Sequence, residues 1–224
     1  METKKILIKG LIINLIFTAI LFVCAGRIDY VQGWVFLSVN IVATIMNFLS
    51  IQKNRDLANE RSKLGEGVKS WDKLLLGLSA VIYLIMIIIA GLDSGRFLWT
   101  TNFSWMISIS GVAIMMIGQI IFLTARSQNN FFSSVVRIQK ERGHVVCDTG
   151  LYKTVRHPGY LGMILSLIGI PLITTSIWSI IPTLIAIILL LIRTSLEDKT
   201  LKVELDQYIE YSKKTRYKLI PLIW

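Results

Sequence analysis

The sequence predicts an all-α, polytopic integral membrane protein of about six transmembrane helices, and three observations carry that prediction. Hydrophobic residues make up 54% of the 224-residue chain and charged residues 17%, with a mean hydropathy of +0.63, far more apolar than a soluble domain. The apolar residues come in blocks, not amphipathic stripes, and each full block approaches the ~20 residues that cross a hydrocarbon core. The positive charges also sort by block. Of the 24 lysines and arginines, all but Arg27 and Arg96 fall on one face of a six-span arrangement. The positive-inside rule then puts both termini in the cytoplasm, whereas five spans would leave either the N-terminal lysines or the basic tail outside.

The blocks justify the elements in order. Ile6 to Ala25 follows Lys4 and Lys5 and ends in Val23-Cys24-Ala25-Gly26, which superficially suggests a lipoprotein leader. Val23 fits poorly before such a cysteine and further spans follow at once, so an uncleaved first helix is expected. Val31 to Ile51 forms the second span. A mixed-charge, partly helical loop from Gln52 to Asp72 follows, broken by Gly65 and Gly67, and then come spans over Leu74 to Leu92 and Trp105 to Thr124. The apolar stretch from Pro158 to Ile192 is punctuated by Pro171, Thr174, Thr175, Ser176 and Pro182, which suits two short helices joined by a tight turn. Beyond it, Leu201, Leu205, Tyr208 and Tyr211 recur at helical spacing among Lys199, Lys202, Glu204, Asp206 and Lys213. That pattern predicts a cytoplasmic amphipathic C-terminal helix along the inner membrane face, closed by an apolar plug from Leu219 to Trp224. The chain thus divides into a four-span region, 1–125, and a region of loop, helical hairpin and tail, 126–224. Cys24 and Cys147 fall on opposite faces of the bilayer, so no disulfide is expected.

Chemistry concentrates in the second region. The run Gly150-Leu151-Tyr152-Lys153-Thr154-Val155-Arg156-His157-Pro158-Gly159-Tyr160-Leu161-Gly162 sets basic, imidazole and phenolic groups directly before an apolar stretch. Where that stretch ends, the chain reads Arg193-Thr194-Ser195-Leu196-Glu197-Asp198, so a helical hairpin brings two charged clusters to one membrane face. Ionisable residues at such a boundary form a candidate active site. Other classes find no support. No Gly-x-Gly-x-x-Gly follows a strand, and the only histidines, His144 and His157, make no metal-ligand set. The net charge of +10 is spread over juxtamembrane loops, which suits anionic lipid head groups and not nucleic acid.

These residues resemble the signature of the isoprenylcysteine carboxyl methyltransferase and phospholipid methyltransferase families: Gly-Pro-Tyr, then Arg-His-Pro-x-Tyr, then Arg-x-x-x-Glu-Glu. Leu151 replaces the usual proline and Asp198 the second glutamate, changes that alter a turn's stiffness and shorten a carboxylate without removing a chemical group. The similarity extends through His144 to Cys147 and Tyr208 to Pro221, and faintly to Glu60-Arg61 and Lys69-Ser70-Trp71-Asp72. It implies S-adenosylmethionine as methyl donor, with Gln139, His144, Val145, Val146, Cys147, Tyr152, His157, Pro158, Gly159 and Tyr160 lining its pocket. Glu197 then reaches back from the start of the tail helix, and Arg193 faces a lipophilic, prenylated acceptor as its carboxylate clamp. Methyl transfer from a sulfonium asks the protein to bind, exclude water and align a nucleophile, and these residue types suffice.

Plainer readings stand beside these roles. Arg137 can take the place of Gln139, and His157-Pro158 can simply start a helix. Tyr152 and Tyr160 fit interfacial belt positions. Arg193 and Glu197, four apart on a helix, fit an ordinary ion pair. At the level of function, the alternatives are phospholipid N-methylation, a sterol-type reduction with NADPH, and a non-catalytic membrane scaffold.

Overall fold

The computed structural model describes residues 2–52, 67–101 and 104–224, and every regular element among them is helical. The expected loop features Glu60, Arg61 and Gly65 lie outside the described residues. The helices are α1 (Glu2–Ala25), α2 (Val31–Gln52), α3 (Ser70–Ala90), α4 (Trp105–Gln128), α5 (Pro158–Thr174), α6 (Ile180–Glu204) and α7 (Tyr208–Lys214). Helix α3 continues directly into a π-helical segment, Gly91–Phe97.

Five of these, α1 to α4 and α6, are long and apolar enough to cross a membrane. Their outer faces expose isoleucines and leucines such as Ile12, Leu15, Ile109 and Ile188, as expected where lipid replaces water. The stretch after Pro158 does fold as two helices, but they are unequal. Helix α5 has 17 residues, so at ~1.5 Å per residue it covers roughly 26 Å, less than a ~30 Å core, whereas α6 has 25. The turn between them begins at Thr175, whose φ of 52° ends α5.

Glycines bring α4 and α5 into backbone contact. A Cβ on Gly118 would lie 2.5 Å from the Gly162 carbonyl oxygen, and one on Gly162 would lie 2.5 Å from that of Gly118. Gly111 and Gly169 repeat the approach seven residues away. With little hydrophobic drive between helices in lipid, such small-residue contact is what holds two apolar helices together. It fixes the start of α5, and with it the Arg156-His157 motif, against the end of α4. Elsewhere Leu21, Phe36, Met86, Ile87 and Ile173 join α1, α2, α3 and α5 in one apolar core.

The tail differs from expectation. No amphipathic helix begins near Glu197: α6 runs unbroken from Ile180 to Glu204, and the chain then turns through Gln207 at φ 64° into the two turns of α7. The helical spacing from Leu201 to Tyr211 spans that break. The inward positions nevertheless hold, since Leu205, Tyr208 and Tyr211 are buried with Tyr152 and Ala125. Nor is 219–224 a plug: Leu219 is fully buried, but Leu222 is 85% exposed.

Candidate active site

The site is built at the end of the bundle where α4 stops and α5 starts. The connecting loop is tied to α4 by Gln128, whose side-chain oxygen accepts from Leu151 N at 2.8 Å and whose carbonyl accepts from Cys147 Sγ at 3.3 Å. Gly150 makes this possible. Its φ is +55°, a conformation that favours glycine, and a Cβ there would sit 2.3 Å from the Gln128 amide and push it off its bond to Leu151. Tyr152 is buried beneath the tail, its carbonyl accepting from Tyr211 Oη at 2.7 Å and Thr215 Oγ1 at 3.2 Å.

Two buried arginines then pair with carboxylates from distant helices. Arg156 donates from Nε to Asp198 Oδ1 at 2.7 Å and from Nη2 to Oδ2 at 3.2 Å, while its Nη1 donates to the carbonyls of Thr215 and Arg216. Burial would favour the neutral guanidine, but Asp198 outweighs it and raises the Arg156 pKa above its ordinary value. His157 Nε2 lies 3.4 Å from the same Asp198 oxygen, and Tyr208 Oη donates to it at 3.1 Å. Burial, reinforced by the Asp198 charge, pushes the Tyr208 phenol up, so it stays a donor. Asp198, the departure from the family's second glutamate, is therefore the hub that fixes α5, α6 and α7 to one another.

The second arginine is Arg193. Its Nε and Nη2 grip Asp72 of α3 at 2.7 and 3.2 Å, and Nη2 also donates to the Ser134 carbonyl at 3.0 Å. Asp72, fully buried, additionally accepts from Val136 N at 2.8 Å. The planar fork is thus turned toward Asp72, and Glu197 instead accepts a hydrogen bond from Tyr160 Oη. The Arg193 guanidinium stands 5.3 Å from the Tyr160 ring centre, so these three side chains form one cluster.

Arg156, Arg193, Tyr160 and Tyr208 of these clusters border one cavity of about 560 Å³. His144, Val145, Val146, Cys147, Tyr152, His157, Gly159, Tyr160, Arg193 and Glu197 line it. Gln139 and Pro158 do not. Gln139 is fully buried behind the wall, where its amide donates to the Phe131 carbonyl at 2.8 Å and its oxygen accepts from Arg142, and Arg137 lines the cavity in its stead. Pro158 occupies the first turn of α5. His144 stacks on Phe131 with ring centres 4.5 Å apart, and burial, together with Arg142 and Arg137, lowers its pKa to about 4.

The sequence pointed only faintly to Asp72 and not at all to Phe131. A buried acid at the start of an apolar helix carries a signal, because an unpaired carboxylate there is too costly to persist, but its partner lies 121 residues away and no local spacing betrays it. Phe131, beside a second phenylalanine in a loop, carries no such mark.

Comparisons with known proteins cover the segment that carries these residues. Residues 111–203 match the isoprenylcysteine carboxyl methyltransferase (ICMT) family. Two curated relatives, each named a probable protein-S-isoprenylcysteine O-methyltransferase, come from Oryza sativa subsp. indica and subsp. japonica. Each is 33% identical over 66 residues, 29% of this chain, and the match spans about a third of the relative's length, 35%. The matched span runs from the glycine face of α4 through the loop to the acidic end of α6, and over that segment the chain is similar to the isoprenylcysteine carboxyl methyltransferase family.

Proposed function

We propose that this protein is a membrane-embedded, S-adenosylmethionine-dependent methyltransferase that esterifies the carboxylate of a lipophilic, isoprenylcysteine-like acceptor. The observation that carries the reading is the joining of Arg193, Tyr160 and Glu197 in a cavity that runs from the polar loop into an apolar interior.

The residues fit the implied cofactor. A volume of about 560 Å³ lies within the ~300–1,000 Å³ usual for small-molecule sites. Glu197 offers an anion for the donor's positive charge, the Phe131–His144 stack a flat wall for an adenine, and Arg137 a cation for a carboxylate. Once bound, the cofactor supplies an electrophilic methyl group. The chain's residues then have to hold, orient and desolvate. Val145 to Cys147 and Tyr152 flank the donor, Asp198 fixes His157 and Arg156 as the frame, and the docked tail excludes water.

Acceptor chemistry follows from charge. A carboxylate is already deprotonated at neutral pH, so it needs positioning and no base. Arg193 has spent Nε and Nη2 on Asp72 and Ser134, which leaves Nη1 to steady the acceptor oxygen beside the Tyr160 ring. This is a one-nitrogen contact, narrower than the two-point clamp that the motif alone suggests. A guanidinium at that position disfavours an ammonium, which sets phospholipid N-methylation second. On the same reading α5 is a short sixth span, and the motif end of the bundle, with both termini, faces the cytoplasm.

Calorimetry on detergent-purified protein tests the cofactor assignment. S-adenosylmethionine is expected to bind and NADPH not to, and His157→Ala, Tyr160→Ala and Glu197→Ala are each expected to weaken binding by ~1–3 kcal/mol. Unchanged affinity in three folded variants, or preference for NADPH, contradicts the assignment.

A further inference from the structure

The cavity does not end at the motif residues. It continues along α3, whose Ser79 and Tyr83 stand one turn apart on its wall. Tyr83 is eleven residues beyond Asp72, roughly 16 Å at ~1.5 Å per residue. Asn40 of α2 and Gln119 of α4 also line this chamber, amid apolar neighbours such as Leu76, Met115 and Ile170. Neither the Tyr83 nor the Ser79 hydroxyl has a hydrogen-bond partner among the described residues. Asn40 donates its amide N–H to the Phe36 carbonyl at 2.8 Å and Gln119 to the Ala43 carbonyl at 3.4 Å, and neither side-chain oxygen has a hydrogen-bond partner among the described residues. The Tyr83 ring is held edge-on to Phe17 with centres 4.9 Å apart, which fixes its position.

Polar side chains at this depth are costly, and several converging on one chamber with spare donors and acceptors mark a recognition site. A bare hydrocarbon tail would fill the space and leave them unpaired. We infer that the deep chamber recognises a hydroxyl group borne by the lipophilic ligand ~10–16 Å from its reacting end, a distance set by the helix rise between Arg193 or Asp72 and this level. A hydroxyl both donates and accepts, so it can accept from Tyr83 or Ser79 while it donates its one hydrogen to Asn40 or Gln119. Calling this ligand the methyl acceptor rests on the function proposed above; the chamber's preference does not.

Two probes separate these claims: S-farnesyl thioacetate and its counterpart hydroxylated at the far end of the chain. Equilibrium binding of each to the purified full chain is expected to favour the hydroxylated probe by about tenfold or more, since a site built to bond a hydroxyl rejects the analogue lacking it. Tyr83→Phe, which keeps the ring and its Phe17 contact, is expected to bring the ratio to about one by weakening the hydroxylated probe. Equal or better binding of the hydrocarbon probe by the parent, a ratio that survives Tyr83→Phe combined with Ser79→Ala, or failure of both probes to bind overturns the inference. Methyl transfer is scored separately on each probe. An intact ratio without transfer counts against the methyltransferase reading alone, and transfer without a ratio against the subsite alone.

Discussion

Asp72 and Asp93 lie at opposite ends of one continuous helical segment, both fully buried, and their partners differ in kind. Asp93 accepts from four neutral donors, Thr100 N and Oγ1 at 2.8 and 2.9 Å, Ser176 Oγ at 2.6 Å and Trp178 N at 3.2 Å. That shell ties the end of the π-helix to the α5–α6 turn, and Asp93 does not line the cavity. Asp72 instead holds the Arg193 guanidinium, which lines the cavity and whose Nη1 has no hydrogen-bond partner among the described residues. A buried ion pair is seldom the most stable solution for a core, whereas it does present a fixed charge to a ligand. The comparison teaches that burial of an acid marks no site by itself; spare hydrogen-bonding capacity beside open space does.

The comparison can be broken from the Asp72 end first. Asp72→Ala leaves Arg193 buried without its counter-charge, and a loss of ~3–5 kcal/mol is expected, read as a lower unfolding midpoint in detergent. Asp72→Ala combined with Arg193→Ala should cost less than the two losses added, because both charges go together. Next in size is Arg193→Lys. Lysine cannot keep the fork on Asp72 and also offer a nitrogen to the acceptor, so methyl transfer should fall by about 10²-fold with cofactor affinity near that of the parent. Full activity of the lysine variant removes the acceptor role of Arg193.

Asp93→Ala sharpens the contrast from the other side. Four donors lose their acceptor, so a stability loss of ~1–3 kcal/mol is expected, but the folded variant should bind S-adenosylmethionine as the parent does. Weakened cofactor binding there would mean that the two ends are coupled. The smallest effect concerns His144. Its folded pKa of about 4 lies below the ordinary 6.5, so the folded loop binds fewer protons. Its stabilising contribution is therefore present above pH 6.5 and drains away as pH falls toward 4. Limited proteolysis within 129–149 should accelerate over that window, and His144→Phe, which preserves the stack on Phe131, should abolish the dependence.

The same contrast explains what the sequence made legible. Arg156, His157, Tyr160, Arg193 and Glu197 stand out because charged and phenolic groups flank apolar runs, and a hairpin suffices to bring them together. Asp198 was visible as a motif member, but its function as a hub depends on Arg156 from 42 residues away. Gln139 lies off the cavity because the loop between Phe131 and His144 folds back on itself, turning Gln139 inward and Arg137 to the cavity, and no local spacing betrays that fold. The length of α6 is hidden because its apolar period flows smoothly into that of the tail; the helix ends where Leu205 turns extended, and the left-handed Gln207 then starts α7. Ser79, Tyr83, Asn40 and Gln119 were invisible. Each is an uncharged polar residue within an apolar helix, with no local spacing to mark it, and the placement of all four on one chamber is a tertiary fact.

The central claim is that this cavity delivers a methyl group to a carboxylate beside Arg193. Label transfer from S-adenosylmethionine carrying a radioactive methyl group tests it most directly, with a prenylated cysteine and phosphatidylethanolamine offered side by side to the purified protein. A methyl ester releases its label as volatile methanol on mild alkaline treatment, while a methylated amine keeps it. The account predicts base-labile label on the prenylated cysteine and none on the phospholipid. Base-stable label on the phospholipid, or no transfer to either acceptor by protein that binds the cofactor, would contradict it.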